Sequence, residues 1–135
     1  MNNTYVAHVR KSDNAEQSLV THLFEVSVIA EKLASKIGVS DAGKLLGLMH
    51  DFGKYSKSFQ SYIGSATGRL NPDIDDDYVD SKSLKGKVDH SSAGAQWVWL
   101  ELKGYGKQGA GELCGQILAV CIASHHSGLM DWMLC

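Results

Sequence analysis

The chain has 135 residues, enough for one domain with a buried core. A formal charge of −2 and 44% hydrophobic content exclude the basic excess of a general nucleic-acid binder, and there is no acidic tail to call for a cationic partner. The longest apolar run, "ILAVCIA" at 117–123, is far short of a membrane span, and "MNNTYVAHVRKSDN" at the start has no hydrophobic signal core. A cytoplasmic protein without membrane contact is therefore expected.

Helical periodicity runs through most of the chain. In 19–37, Leu19, Leu23, Val26, Ala30, Leu33 and Ile37 recur at three- and four-residue steps, the stripe of an amphipathic helix that Gly38 closes. Ser40 or Asp41 is placed to cap a second helix that reaches Met49. Tyr55–Ile63 reads as a short third helix ending at Gly64.

Residues 64–89 are expected to form a long exposed loop. They hold three glycines, the only proline and "DIDDDYVD", with five aspartates in eight residues. Asp73, Asp75 and Asp77 have the spacing of a calcium loop. Tyr78, however, stands where the glycine belongs, and Leu84 where the bidentate glutamate belongs, so a calcium site is rejected. "GVSDAGKL" at 38–45 matches the spacing of a phosphate loop by chance, because Leu45 replaces the hydroxyl residue and a helix precedes it instead of a strand.

A fourth helix is expected from about His90 to Leu102, carrying Trp97 and Trp99 as core residues. The glycine-rich "KGYGKQGAG" follows it. A fifth helix, about 111–124, sets Leu113, Ile117 and Cys121 on one row and Cys114, Leu118 and Ile122 on the next. Cys114, Cys121 and Cys135 form no CxxC pair and leave one over, so small buried hydrophobes are expected and no disulfide framework. No β-alternation persists beyond a few residues, and the fold class is all-α.

The six histidines are more telling by place than by number. His22 follows the inward face of the first helix, and His50 follows Leu46 by four residues. His125 and His126 extend the two apolar rows of the last helix, while His90 opens the fourth. Burying such rings without partners costs about 1–3 kcal/mol for each orphaned group. Five of them together with Asp51 are most simply satisfied by shared metal, since neutral imidazole and carboxylate suit zinc, manganese, iron, nickel or cobalt. His8 is expected to be a structural polar residue.

His22, "HDFGK" at 50–54, "DHS" at 89–91 and "SHHSGL" at 124–129 resemble the HD superfamily of metal-dependent phosphohydrolases. "HDFGKYSKSFQSYI", "VDHSSAGAQWVW", "IASHHSGLMDW" and "YVAH" at 5–8 are similar, more specifically, to the HD nuclease domain of the type I CRISPR-associated helicase–nuclease. The resemblance covers nearly the whole chain as one domain, residues 1–135. It implies an HD-domain helical bundle with two divalent ions, cutting single-stranded DNA.

Carried over by position, the resemblance gives His22, His50 and Asp51 one ion. Asp51 bridges to a second ion held by His90, His125 and His126, and Lys54 lies near the scissile phosphate. Iron, manganese, cobalt or nickel are the implied metals, with zinc and magnesium as further options. The implied partners are a helicase domain or subunit and a CRISPR RNA-guided surveillance complex. Lys57, Arg69, Lys82, Lys85 and Lys87 are candidate phosphate contacts.

The family pattern also has a later aspartate on the first metal. Asp131, in "LMDWMLC", is the only acid downstream of the histidine pair and is not taken as that ligand. A C-terminally incomplete domain with a weakened first metal is therefore expected. A nucleotide phosphohydrolase, or a catalytically impaired metal-binding module, stand as alternatives to the nuclease.

Overall fold

The computed structural model describes residues 5–126. They divide into two compact units, one of residues 5–22 and 53–90, the other of 23–52 and 91–126. Both are dominated by helices, as an all-α HD-type domain requires, and no helix among the described residues is long and apolar enough to cross a membrane.

The first unit opens with a feature that alternation does not announce. Strand β1 (Val6–Val9) pairs antiparallel with β2 (Glu16–Ser18), with Val6 opposite Ser18 and His8 opposite Gln17. Between Val6 and His8 the ladder carries an irregularity, so Val6 and Ala7 are both buried in succession. Such an irregularity re-aims the next side chain, here His8, and erases the period-two pattern by which strands are read.

The segment after Asp51 makes a 3₁₀ turn, Phe52–Tyr55, before helix α3 (Lys57–Ala66) starts. The expected start at Tyr55 is thus two residues early: Ser56 is the cap, its hydroxyl accepting the Phe59 N–H at 3.2 Å. Val6, Phe59 and Ile63 form the core of this unit, with Tyr62 and Val88 against it. The expected loop over 64–89 needs two corrections. Helix α3 runs on to Ala66, and a one-turn helix, α4 (Ser81–Leu84), is capped by Asp80. Of the aspartates there, Asp75 accepts the Asn71 N–H at 2.7 Å and Asp80 the Lys82 N–H at 3.1 Å.

Helix α1 (Leu19–Ala34) begins in the first unit and continues into the second; a 3₁₀ turn, Ser35–Ile37, follows, and Gly38 at φ 77° ends it. Leu19, Leu23 and Ser27 are buried, but Leu33 and Ile37, expected on the core stripe, are exposed, as is Ile29. The inward row drifts toward Ala30 and Ala34, small enough for α2 (Ser40–Met49) to approach closely. Val39, not Ser40 or Asp41, occupies the cap position of α2, and no side chain caps it.

Helix α5 starts at Ser92 rather than His90 and ends at Leu102; α6 spans Ala110–Ser124. Met49, Ala95, Val98, Leu118 and Ile122 are the core of the second unit. A Cβ on Gly94 would stand 2.0 Å from the Met49 carbonyl, so only glycine lets α5 meet the end of α2 here. Of the two rows expected on α6, the one with Leu118 and Ile122 is buried, whereas Leu113 and Ile117 are exposed. Cys114 is also exposed and Cys121 half-buried, which corrects the expectation of buried thiols. Trp97 is exposed rather than core, while Trp99 packs over Gly115.

Candidate metal centre

Helix α2 delivers His50 and Asp51 at its C-terminal end, just past the Met49 that packs against Ile122. Helix α6 delivers His125 as its C-cap, with His126 next. Packing of the two helix ends in one core therefore brings four polar residues together. The Asp51 carboxylate is almost fully buried. Its Oδ2 lies 3.2 Å from His50 Nε2 and its Oδ1 3.4 Å from His125 Nε2. The rings of His50 and His125 meet edge to face at 5.3 Å, and those of His125 and His126 lie 4.0 Å apart. One ligand atom from each of Asp51, His125 and His126 falls within 4.8 Å of the other two.

The other nitrogens reveal what such an arrangement asks for. His50 Nδ1 lies 2.8 Å from the Gly47 carbonyl, and His125 Nδ1 lies 2.7 Å from the Ile122 carbonyl. A carbonyl only accepts, so each Nδ1 carries the proton and donates it. In the neutral ring Nε2 then presents a lone pair, and that lone pair faces a carboxylate that also only accepts. The contact is favourable when a cation stands between them, or when the ring takes a second proton. Rings anchored through Nδ1 to backbone carbonyls, with Nε2 directed at a carboxylate, are how proteins hold first-row metals. The residues present fit a divalent ion.

His90 lies in the first unit with the same anchoring: Nδ1 is 3.1 Å from the Val88 carbonyl, which leaves Nε2 as the lone-pair nitrogen. Its ring leans on Phe59 at 5.2 Å, and its own carbonyl accepts the Gly53 N–H at 3.0 Å. A Cβ on Gly53 would come within 2.4 Å of that oxygen, which explains the glycine in "HDFGK". Ser91 follows, its hydroxyl 3.4 Å from the Ala123 carbonyl of α6.

His22 also belongs to the first unit, half-buried on the first turn of α1, its ring 4.7 Å from that of His8. His8 is the residue that sequence reasoning set aside. The only signals for it are "YVAH" itself and the irregular strand pairing, which no periodicity predicts. Lys54 is buried, not the solvated lysine that a helix end suggests. Its Nζ lies 3.4 Å from both the Ala7 carbonyl and His8 Nε2, and 5.3 Å above the Phe59 ring. An ammonium has only protons to give, so His8 Nε2 accepts, and the proton of the neutral His8 ring sits on Nδ1. His8 is thus a contact of Lys54.

Gln60 ties this arrangement to the strand. Its Oε1 accepts the Val6 N–H at 3.1 Å, and its Nε2 donates to the Val6 carbonyl at 3.0 Å and the Lys54 carbonyl at 2.8 Å. One amide thus mimics a strand neighbour for Val6 and clamps the turn that carries Lys54. Phe59 and Gln60 are adjacent in α3, so one turn of this helix contacts Lys54, His90 and β1. Asp131 and Cys135 lie outside the described residues.

Compared with known proteins, the chain matches the family model described as Cas3, HD domain, over residues 8–131. Neither the curated proteins nor the solved structures gave a match. The matched span includes His8, His22, the His50–Asp51 pair, Lys54, His90, His125 and His126, and it carries metal-dependent hydrolase chemistry in a CRISPR context. By a match that spans almost its whole length, this chain belongs to the Cas3 HD domain family.

Proposed function

We propose that the domain is a metal-dependent endonuclease of CRISPR interference that hydrolyses phosphodiester bonds of single-stranded DNA at a two-metal centre. His22, His50 and Asp51 are assigned to one ion, and His90, His125 and His126 to the other, with Asp51 bridging. The family points to iron, manganese, cobalt or nickel, and the imidazole and carboxylate donors suit these as well as zinc. The observation that carries this reading is the Asp51 carboxylate set between two Nε2 atoms whose rings have already given their Nδ1 protons to carbonyls. Family membership supports the choice of nuclease chemistry.

Bound divalent ions supply a nucleophile at neutral pH and neutralise charge on the attacking and leaving oxygens. The chain's own residues do the rest. The carbonyls of Gly47, Ile122 and Val88 fix the rings of His50, His125 and His90 in one tautomer. Lys54, held by its contacts with His8 and Ala7, adds a positive charge on the side where a phosphate oxygen arrives. A helicase domain or subunit, recruited with an RNA-guided surveillance complex, presents the strand.

The test is single-stranded DNA cleavage by metal-loaded protein, alongside His50→Ala, Asp51→Ala and Lys54→Ala. Metal-dependent cleavage that each variant loses supports the assignment. Turnover of free nucleotides without strand cleavage would replace it with a nucleotide phosphohydrolase. Bound metal without either activity would make the chain a binding module.

A further inference from the structure

The first unit has a cleft of about 440 Å³ beside the 3₁₀ turn that carries Lys54. Tyr5, Tyr55, Lys57, Gln60, Arg69 and Asp77 line it. Tyr5 and Tyr55 meet edge to face at 5.0 Å and form an aromatic wall. Two cations, Lys57 and Arg69, complete the rim. Each already has a carboxylate: Lys57 Nζ lies 2.7 Å from Asp77 Oδ1, and Arg69 Nε lies 2.8 Å from Glu16 Oε1. Gln60 links the cleft to Lys54, since its amide also bonds the Lys54 carbonyl.

Aromatic faces beside a lysine and an arginine are the chemistry that takes a nucleotide: the base stacks and the phosphate pairs with the cations. We propose that this cleft is a subsite for one nucleotide of a single-stranded nucleic acid, the base on Tyr55 and Tyr5 and the phosphate on Lys57 and Arg69. In the free protein, Asp77 and Glu16 occupy the phosphate positions. The proposal rests on the nuclease reading and extends it, naming where the strand lies next to Lys54.

The carboxylates are well suited to be displaced. All four charged side chains are at least a third exposed, and exposed pairs are weak and screened by salt. The Asp77 carboxylate raises the pKa of Lys57 above its ordinary value, first through the hydrogen bond and then through its charge. In the free protein the Lys57 charge thus faces Asp77, the position that a phosphate would take. Such an exchange also explains how a chain of net charge −2 presents cations to a strand without a standing basic patch.

The experiment is binding of a fluorescent single-stranded oligodeoxythymidylate to the full chain in EDTA, where nothing is cleaved, across a salt series. Tyr55→Leu is expected to weaken binding about tenfold. Arg69→Gln is expected to weaken it by several-fold and to flatten the slope of log affinity against log salt by about 0.7. Asp77→Asn is expected to tighten binding several-fold, an effect that a merely structural aspartate would not give. Wild-type affinity in all three variants, or no binding by the wild-type chain, overturns the subsite. A wild-type chain that cleaves strands while these variants bind them normally would overturn the subsite and leave the nuclease reading intact. Loss of cleavage in Asp51→Ala with normal EDTA binding separates the two in the other direction.

Discussion

Asp51 and His125 face each other across the ends of two helices, Oδ1 at 3.4 Å from Nε2, while His125 Nδ1 is already engaged by the Ile122 carbonyl. Two acceptors are aimed at each other from rigid supports. A cation held by these residues would remove the conflict, and its binding would then be coupled to folding. Manganese or iron at about a hundredfold excess over its dissociation constant is expected to stabilise the wild type by about 2.7 kcal/mol. Thermal unfolding with and without EDTA reads this, and His125→Ala is expected to lose most of the shift. An equal shift in the variant would remove His125 from the site.

Gln60 is expected to matter for stability although it holds no metal. Replacing it by leucine, a side chain of similar size, leaves the Val6 N–H, the Val6 carbonyl and the Lys54 carbonyl without the amide. Orphaned groups of this kind cost about 1–3 kcal/mol, and partial access of water keeps the loss toward the lower end. Urea unfolding of Gln60→Leu measures it; an unchanged midpoint would mean that water replaces the amide at no cost.

Gly53→Ala is a sharper probe of the turn. The added Cβ meets the His90 carbonyl at 2.4 Å, a backbone atom that cannot swing aside. A loss of roughly 2 kcal/mol or more is expected from the displaced backbone, read by thermal or urea unfolding. Because the same oxygen accepts the Gly53 N–H, the variant is also expected to disturb His90 and weaken metal uptake. Wild-type stability would show that the turn is not held against His90 in solution.

Lys54 lies among groups that make its charge specific. Its ammonium is buried over Phe59 and shared between the Ala7 carbonyl and His8. Lys54→Met keeps most of the aliphatic stem and removes the charge. It is expected to retain bound metal and lower single-turnover strand cleavage by roughly a hundredfold, the scale of a lost charge-stabilising group. Full activity in Lys54→Met would exclude a role in the reaction.

Much of this arrangement was legible in the chain, for identifiable reasons. The periodicity of α2 carried His50 to its helix end beside the buried Met49, and the buried row of Leu118 and Ile122 on α6 leads on to His126, whereas His125 continues the row of Leu113 and Ile117 that stays exposed. The stripe of α1 does not stay inward to its end: Leu33 and Ile37 continue the spacing but are exposed, whereas Ala30 and Ala34 receive α2. The role of His8 was hidden because it depends on an irregular pairing between two strands of four and three residues. Burial of Lys54 was hidden for a similar reason, since its partners, Ala7 and His8, are distant in sequence.

Everything proposed for the site depends on Asp51 and the histidines around it holding metal. Elemental analysis of the purified chain after manganese or iron loading and desalting, compared with Asp51→Ala, tests it most directly. Bound transition metal is expected in the wild type, and its loss in Asp51→Ala, with the variant still folded by circular dichroism. A folded wild type that emerges free of metal, or an Asp51→Ala chain that retains as much as the wild type, would contradict it.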